Sequence, residues 1–299
     1  MTGTALRLAA APISWGVCEV PGWGLELPPD RVLAEMAALG FGATELGAEG
    51  YLGSNVDEIT ARLDAHGLRL VGGFVPLVLH DAAEADAAVA AASESARTLA
   101  GAGAEVFVTA AVTDWDWGPR RLLTDGEWTT LVRMLDRVGR IARDHGLRQV
   151  LHPHVSTVVE QADEVQRVLE ASDVALCLDT GHLVIGGVDP VDLVVRAADR
   201  VGHVHLKDVD VATARRVTVG ELSLMAGVQA GMFRVLGDGD VAVGEVVRRL
   251  RSAGYDGWYV LEQDAALTAG VPPPGQGPRD DVERSLQFLQ TIDATDIAS

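Results

Sequence analysis

Short apolar runs of strand length alternate with longer amphipathic segments along the whole chain, and this alternation constrains the fold more than any other feature. The runs are Arg7–Ile13, Ala43–Leu46, Arg69–Val75, Glu105–Ala110, Gln149–His152, Val174–Leu178, His203–Leu206 and Trp258–Glu262. Helical patterns fill the intervals. In Asp30–Leu39, Val32, Leu33, Met36 and Leu39 share one face and Gly40 supplies the stop; Asp189-Pro190 is an N-cap followed by proline at the first helical position. Such alternation predicts a parallel sheet, because each parallel crossover carries a helix onto the sheet face. Eight units within 299 residues predict one α/β domain over residues 1–299, a single (β/α)8 TIM barrel, a fold that typically takes about 250 residues. A doubly wound open sheet is the second reading, weakened because no Gly-rich phosphate-binding turn follows the first run. The rigid stretch Val271-Pro272-Pro273-Pro274-Gly275 leads into a last helix, roughly Asp280–Ile292, that closes the barrel.

The chain is 48% hydrophobic, yet it has no apolar window of the roughly 18 residues that a membrane span requires. Its opening, Met1-Thr2-Gly3-Thr4, lacks the charged region of a secretory signal, so the expected location is the cytoplasm with no membrane partner. Cys18 and Cys177 are too few for a disulfide framework and lack the spacing of a zinc ribbon. A formal charge of −19 repels a phosphate backbone, so nucleic acid is not an expected partner. Of the 24 basic residues, Lys207 alone is lysine. Where arginine serves everywhere else, a single lysine suggests a need for a compact or titratable ammonium.

In a TIM barrel the chemistry sits at the C-terminal ends of the strands. Here those ends are dense in ionisable groups: Glu45 after the second run, His152 and His154 after the fifth, Asp179 and His182 after the sixth, His203, His205 and Lys207 along the seventh, and Glu262 at the eighth. The two-residue period of a strand puts His152 with His154, and His203 with His205 and Lys207, on shared faces. Imidazoles and carboxylates from four strands make a nitrogen and oxygen ligand set suited to Mn²⁺, Co²⁺, Fe²⁺ or Zn²⁺ and unsuited to calcium. His66 and His145 each precede glycine near a helix end and read as structural; His80 has no assigned role. Trp15, after the first run, and Trp115 and Trp117, after the fourth, are expected to overhang the mouth and present apolar faces to a polyol ring.

These residues resemble the xylose-isomerase-like TIM-barrel superfamily of sugar isomerases and epimerases, and within it the inosose (2-keto-myo-inositol) dehydratases. The resemblance rests on Ala11-Pro12-Ile13-Ser14-Trp15, Gly42-Ala43-Thr44-Glu45-Leu46-Gly47, His152-Pro153-His154 with Thr157-Val158-Val159, Asp179-Thr180-Gly181-His182, His203-Val204-His205-Leu206-Lys207-Asp208 and Gly237-Asp238-Gly239-Asp240. It runs in family order from about residue 8 to 264. It implies metal ligands at Asp179, His205 and Glu262, with His152 at the fourth position, where the superfamily commonly has glutamate, and His154 as the neighbour that could substitute. It also implies Mn²⁺ or Co²⁺ as cofactor, substrate contact from His182 near the metal, and a homo-oligomer as one form such barrels take; His154, Trp15 and Trp115 are the further expected substrate contacts.

The implied chemistry begins with proton loss beside a carbonyl. A ketose 3-epimerase uses one metal-bound carboxylate on each face of the substrate, so histidine at position 152 weakens that reading and favours β-elimination of water from a keto-polyol. Glu262 or Glu45 is the expected base. Lys207 and His182 are expected to orient the carbonyl or donate a proton, with the Lys207 ammonium disfavoured by a nearby dication. A sugar isomerase or epimerase, or a barrel that binds sugar without turnover, are the competing functions.

Overall fold

The computed structural model describes residues 6–18 and 20–297. Eight barrel strands alternate with helices: β1 (Arg7–Ala10), β2 (Ala43–Thr44), β3 in two pieces (Arg69–Leu70 and Gly72–Leu77), β4 (Val106–Ala111), β5 (Arg148–Leu151), β6 (Ala175–Asp179), β7 (Val201–Leu206) and β8 (Trp258–Leu261). The helices are α1 (Pro29–Ala38), α2 (Val56–Ala65), α3 (Ala85–Gly101), α4 (Asp125–Asp144), α5 (Ala162–Ala171), α6 (Thr180–Ile185), α7 (Pro190–Ala197), α8 (Val211–Thr218), α9 (Leu224–Gln229), α10 (Val243–Ser252) and α11 (Pro278–Ile297). All barrel pairings are parallel, and β1 lies between β2 and β8. The ring closes through β3, whose first piece pairs with β2 and whose second pairs with β4.

The closure explains why the third apolar run is not one continuous strand. Val71 accepts from Glu105 and Val106 through its carbonyl and donates to Thr44 through its N–H, so one residue changes partners in mid-strand. The first run also ends early, at Ala10, because Pro12 opens a 3-10 turn over Pro12–Trp15. The last helix begins at Pro278, two residues before its expected start.

Two kinds of core hold the barrel. Small and β-branched side chains fill its interior, among them Ala9, Ala43, Val71 and Val260 on one side and Val106, Val108, Val150 and Cys177 on the other. A larger shell of leucine, valine and aromatic side chains lies between strands and helices. Each such side chain, when fully buried, contributes about 1.5–3 kcal/mol. Helix starts are defined locally: Thr124 and Glu127 form a capping box on α4, and Asp189 accepts from Val191 and Asp192 at the start of α7. No helix among the described residues is long and apolar enough to cross a membrane. Cys18 and Cys177 form no disulfide.

Candidate active site

The backbone ladder carries the candidate ligand residues into position at the C-terminal ends of four adjacent strands. His152 continues β5 by donating its N–H to Thr109, and Glu262 continues β8 by donating to Leu206. Asp179 and His205 are direct partners across β6 and β7, so their side chains share the barrel interior. Asp179 ends β6 and caps α6: its Oδ1 accepts from the N–H groups of Gly181 (2.9 Å) and His182 (2.8 Å). One carboxylate oxygen is thereby committed to the helix, and Oδ2 faces the histidines.

The second oxygen lies 3.3 Å from His152 Nε2 and 3.6 Å from His205 Nδ1, while His205 Nδ1 is 2.6 Å from Glu262 Oε2. Both ring nitrogens of His152 and His182, His205 Nδ1, Asp179 Oδ2 and Glu262 Oε2 are buried without a properly directed hydrogen bond. Leaving a buried polar atom unpaired costs about 1–3 kcal/mol, more when it is charged. So many convergent orphans therefore fit a divalent cation, whose ligand atoms at about 2.0–2.2 Å would stand about 3–3.5 Å from one another. Asp179, His205 and Glu262, and likewise His152, Asp179 and His182, offer donor atoms within 4.8 Å of each other. His152 is thus the strand-5 residue beside Asp179. His154 is turned away by a hydrogen bond from its Nδ1 to the Val155 carbonyl (2.7 Å) and packs at a tilt of 37° against His182, ring centroids 3.8 Å apart.

Electrostatics divides these groups. Burial pushes His182 well below the usual imidazole range, and burial with the neighbouring His152 pushes His154 down to about 3, so both rings are neutral. Burial would depress His205 too, but the Cys177 thiol and the Glu262 and Glu45 carboxylates hold it well above its ordinary value. Glu262 is lowered to about 2: its burial is outweighed by His205 and Lys207.

Glu45 does not stand as an open base. It is 3% exposed, and its Oε1 accepts from His203 Nε2 (2.7 Å) and His205 Nε2 (3.2 Å). It therefore orients the His205 ring with Nδ1 toward Asp179 and Glu262, the carboxylate–histidine arrangement that fixes a ligand's tautomer. Glu45→Gln is expected to weaken Mn²⁺ binding by about 10–100-fold, the scale for such supporting groups, and to leave kcat at saturating Mn²⁺ within about tenfold of wild type. Calorimetric titration alongside turnover separates this from a base role, which would lose kcat at any metal concentration.

Lys207 is buried at the end of β7 among three carboxylates. Burial alone would push its ammonium down, but Asp264, Glu262 and Asp179 together raise it, so those carboxylates hold the lysine charged. Nζ bonds Asp264 and lies 3.1 Å from Glu262 Oε2. Thr180 pins the backbone beneath: its Oγ1 accepts from the Lys207 N–H (2.8 Å) and donates to the Lys207 carbonyl.

Of the tryptophans, Trp15 serves the fold. It is fully buried, and its indole N–H donates to Glu35 of α1 (2.8 Å), which also holds Arg31 (3.0 Å). No ring contact among the described residues joins it to the histidines. Trp115 is 42% exposed and its indole N–H donates to Glu84 (2.8 Å), in the segment that follows β3. Trp117 instead reaches the site: it stacks on Phe74 (6.0 Å, 15°) and meets the edge of His154 (6.0 Å), held with φ at +56°. Phe74 also packs against His152, and Phe233 covers His182 from the opposite side (5.8 Å). Neither phenylalanine stands out in the sequence.

Phe233 is delivered by the segment between β7 and β8. It pairs with Val209 in a two-residue antiparallel ribbon, and the buried Asp208 carboxylate accepts from the N–H groups of Val209, Gly237, Gly239 and Val241 (2.8–3.0 Å). A Cβ at Gly239 would collide with that carboxylate, which explains the Gly-Asp-Gly-Asp motif in structural terms. His66 and His145 cap α2 and α4, as expected.

The xylose isomerase-like TIM barrel family matches residues 33–292. An inosose dehydratase of Geobacillus kaustophilus (strain HTA426) is 35% identical over 280 residues, covering 89% of this chain and 90% of its own. Among solved structures, the probable 3-DHS dehydratase AsbF of Bacillus anthracis superposes with a TM-score of 0.71 at 16% identity, covering 95% of this chain and 99% of its own. The IolI protein with a bound zinc atom superposes with a TM-score of 0.70 at 13% identity, covering 97% and 99%. At such identities these two structures speak for the fold, and the family match and the 35% identical relative speak for kinship: the chain belongs to the xylose isomerase-like TIM barrel family, among relatives named inosose dehydratase.

Proposed function

We propose that this protein is a metal-dependent hydro-lyase that removes water from a keto-polyol, with 2-keto-myo-inositol (inosose) as substrate, Mn²⁺ or Co²⁺ as the native ion and the cytoplasm as its location. The observation that carries the reading is the convergence of His152, Asp179, His205 and Glu262 beside a lysine held charged. The 35% identical inosose dehydratase supports the substrate class. A zinc atom bound by a protein of the same fold supports the metal.

His152, Asp179, His205 and Glu262 would hold the divalent cation, which would supply Lewis-acid stabilisation of the charge that develops on the substrate carbonyl. The chain's own groups do the rest. Glu262, the ligand carboxylate that is partly open to the mouth, takes the proton from the carbon beside the carbonyl. The released electron pair forms the carbon–carbon double bond as the β-carbon–oxygen bond breaks. The leaving hydroxide takes a proton from Lys207 and departs as water. Because Lys207 Nζ is 3.1 Å from Glu262 Oε2, the abstracted proton returns to the lysine and both groups end as they began. Neutral His182 hydrogen-bonds a substrate hydroxyl, with His154 behind it. Phe74 and Trp117 cover an apolar ring face and exclude water.

The product conjugates its new double bond with the carbonyl, so ultraviolet absorbance is expected to rise when enzyme, Mn²⁺ and inosose are mixed. Epimerisation creates no such chromophore. Exchange at C3 of fructose or tagatose, with inosose optically silent, would replace this assignment with an epimerase.

A further inference from the structure

Among the described residues, Lys207 and Asp264 form the one ion pair of the site aimed at the ligand carboxylates rather than built from the ligands alone. Both are buried, 2% and 7% exposed. The Lys207 ammonium hydrogen-bonds Asp264 Oδ1 and lies 3.1 Å from Glu262 Oε2 and 3.8 Å from Asp179 Oδ2. Those last two oxygens are the atoms that face His205 and His152. Ammonium and divalent cation thus draw on the same two carboxylates. Two cations that share these carboxylates in a poorly solvated pocket repel each other, and the lysine cannot escape to bulk water. Gly181 packs against its stem, where an added Cβ would come 2.7 Å from Lys207 Cβ, and the Phe233 ring lies 5.4 Å from Nζ.

Asp264 is the group left to receive the charge. It follows Glu262 by two residues, just past the end of β8, and its carboxylate meets the same ammonium. Among the described residues its only ion-pair partner is Lys207, whereas Glu262 and Asp179 each pair with histidine as well.

We propose that Lys207 is the internal counter-ion of the ligand carboxylates, and that Asp264 is the positioning residue that keeps its ammonium in the site when Asp179 and Glu262 are committed to a divalent cation. The inference rests on the ligand set of the proposed function and deepens it. Metal affinity is then set by competition with a tethered lysine. The pull of Asp264 draws that lysine off the ligands and toward the position where a leaving hydroxyl needs a proton.

Calorimetric titration of Mn²⁺ into the full-length wild type, Lys207→Met, Asp264→Asn, Asp264→Glu and the Lys207→Met/Asp264→Asn double variant tests this, with melting curves confirming that each is folded. Removing the lysine charge is expected to tighten Mn²⁺ binding by about tenfold or more, and Asp264→Asn to weaken it by about tenfold, with Asp264→Glu within about threefold of wild type. The deciding number is the coupling: in the Lys207→Met background Asp264→Asn is expected to cost less than about threefold, because its effect runs through the lysine. Lys207→Gln, which keeps a donor for Asp264, is the second charge-removing variant where Lys207→Met fails to fold. Equal weakening by Asp264→Asn in both backgrounds would mean that Asp264 acts on the metal directly and would overturn the proposal. So would unchanged affinity on removal of the lysine charge. Failure of the wild type itself to take up Mn²⁺ is a separate result, which overturns the ligand reading and this inference with it.

Discussion

Asp179→Asn is expected to lose divalent-metal retention and turnover while keeping its fold, the largest effect of any isosteric change in the chain. Asp179 Oδ1 accepts from the Gly181 and His182 N–H groups at the start of α6. Asparagine caps helices about as well as aspartate, so its amide oxygen takes that place and α6 keeps its N-terminus within about 1 kcal/mol. The amide nitrogen then necessarily occupies the position of Oδ2, 3.3 Å from His152 Nε2 and 3.6 Å from His205 Nδ1. That nitrogen has no lone pair to give a metal and presents two hydrogens where an anion is required. Loss of a direct ligand exceeds the roughly 10–100-fold in affinity typical of supporting groups, and removal of Lewis-acid stabilisation worth several kcal/mol lowers kcat/KM by about 10³ or more. Elemental analysis after Mn²⁺ loading, a melting curve and an inosose assay check the three parts. Wild-type Mn²⁺ content in the folded variant would remove Asp179 from the ligand set.

What is legible in the sequence, and what is hidden, divides along one line. Side-chain alternation within a strand is a local property, so the residue pattern alone groups His152 with His154 and His203 with His205 and Lys207, and marks Asp179 and Glu262 as strand ends; that His154 bonds the Val155 carbonyl instead is not written in it. Depth along the barrel axis is not local. His203 and His205 share a face by alternation, but only the packing of β2 against the interior shows Glu45 bridging both rings and spent in doing so. Trp15 misleads for the same reason: a tryptophan at a strand end reads as a mouth residue, whereas Glu35, twenty residues on, takes its N–H. The change of partners at Val71 follows from ring closure, which no local pattern encodes. Asp264 does carry a signal, since Glu262-Gln263-Asp264 repeats the two-residue period of the other strand ends. The charge of Lys207 is legible only with that aspartate in view.

Lys207→Arg is expected to lower kcat by about 10² or more, the usual scale for a general acid, with a smaller change in KM. The substitution keeps a positive charge among Asp264, Glu262 and Asp179, so the carboxylates are not left uncompensated. Two properties change instead. Guanidinium does not surrender its proton in a protein, so it cannot protonate a leaving hydroxide and recover the proton from Glu262. It is also longer and planar, in a pocket where Gly181 presses on the lysine stem and Phe233 stands over Nζ. From its position as the only lysine, a change without thermal consequence could be expected; burial to 2% exposure argues otherwise. Overpacking of about 1–3 kcal/mol corresponds to a melting temperature lower by about 2–5 °C in a chain of this size. Measuring turnover well below the temperature at which unfolding begins keeps the two effects apart. A kcat equal to wild type there would show that the ammonium's proton takes no part in the reaction, and would leave Lys207 the electrostatic role alone.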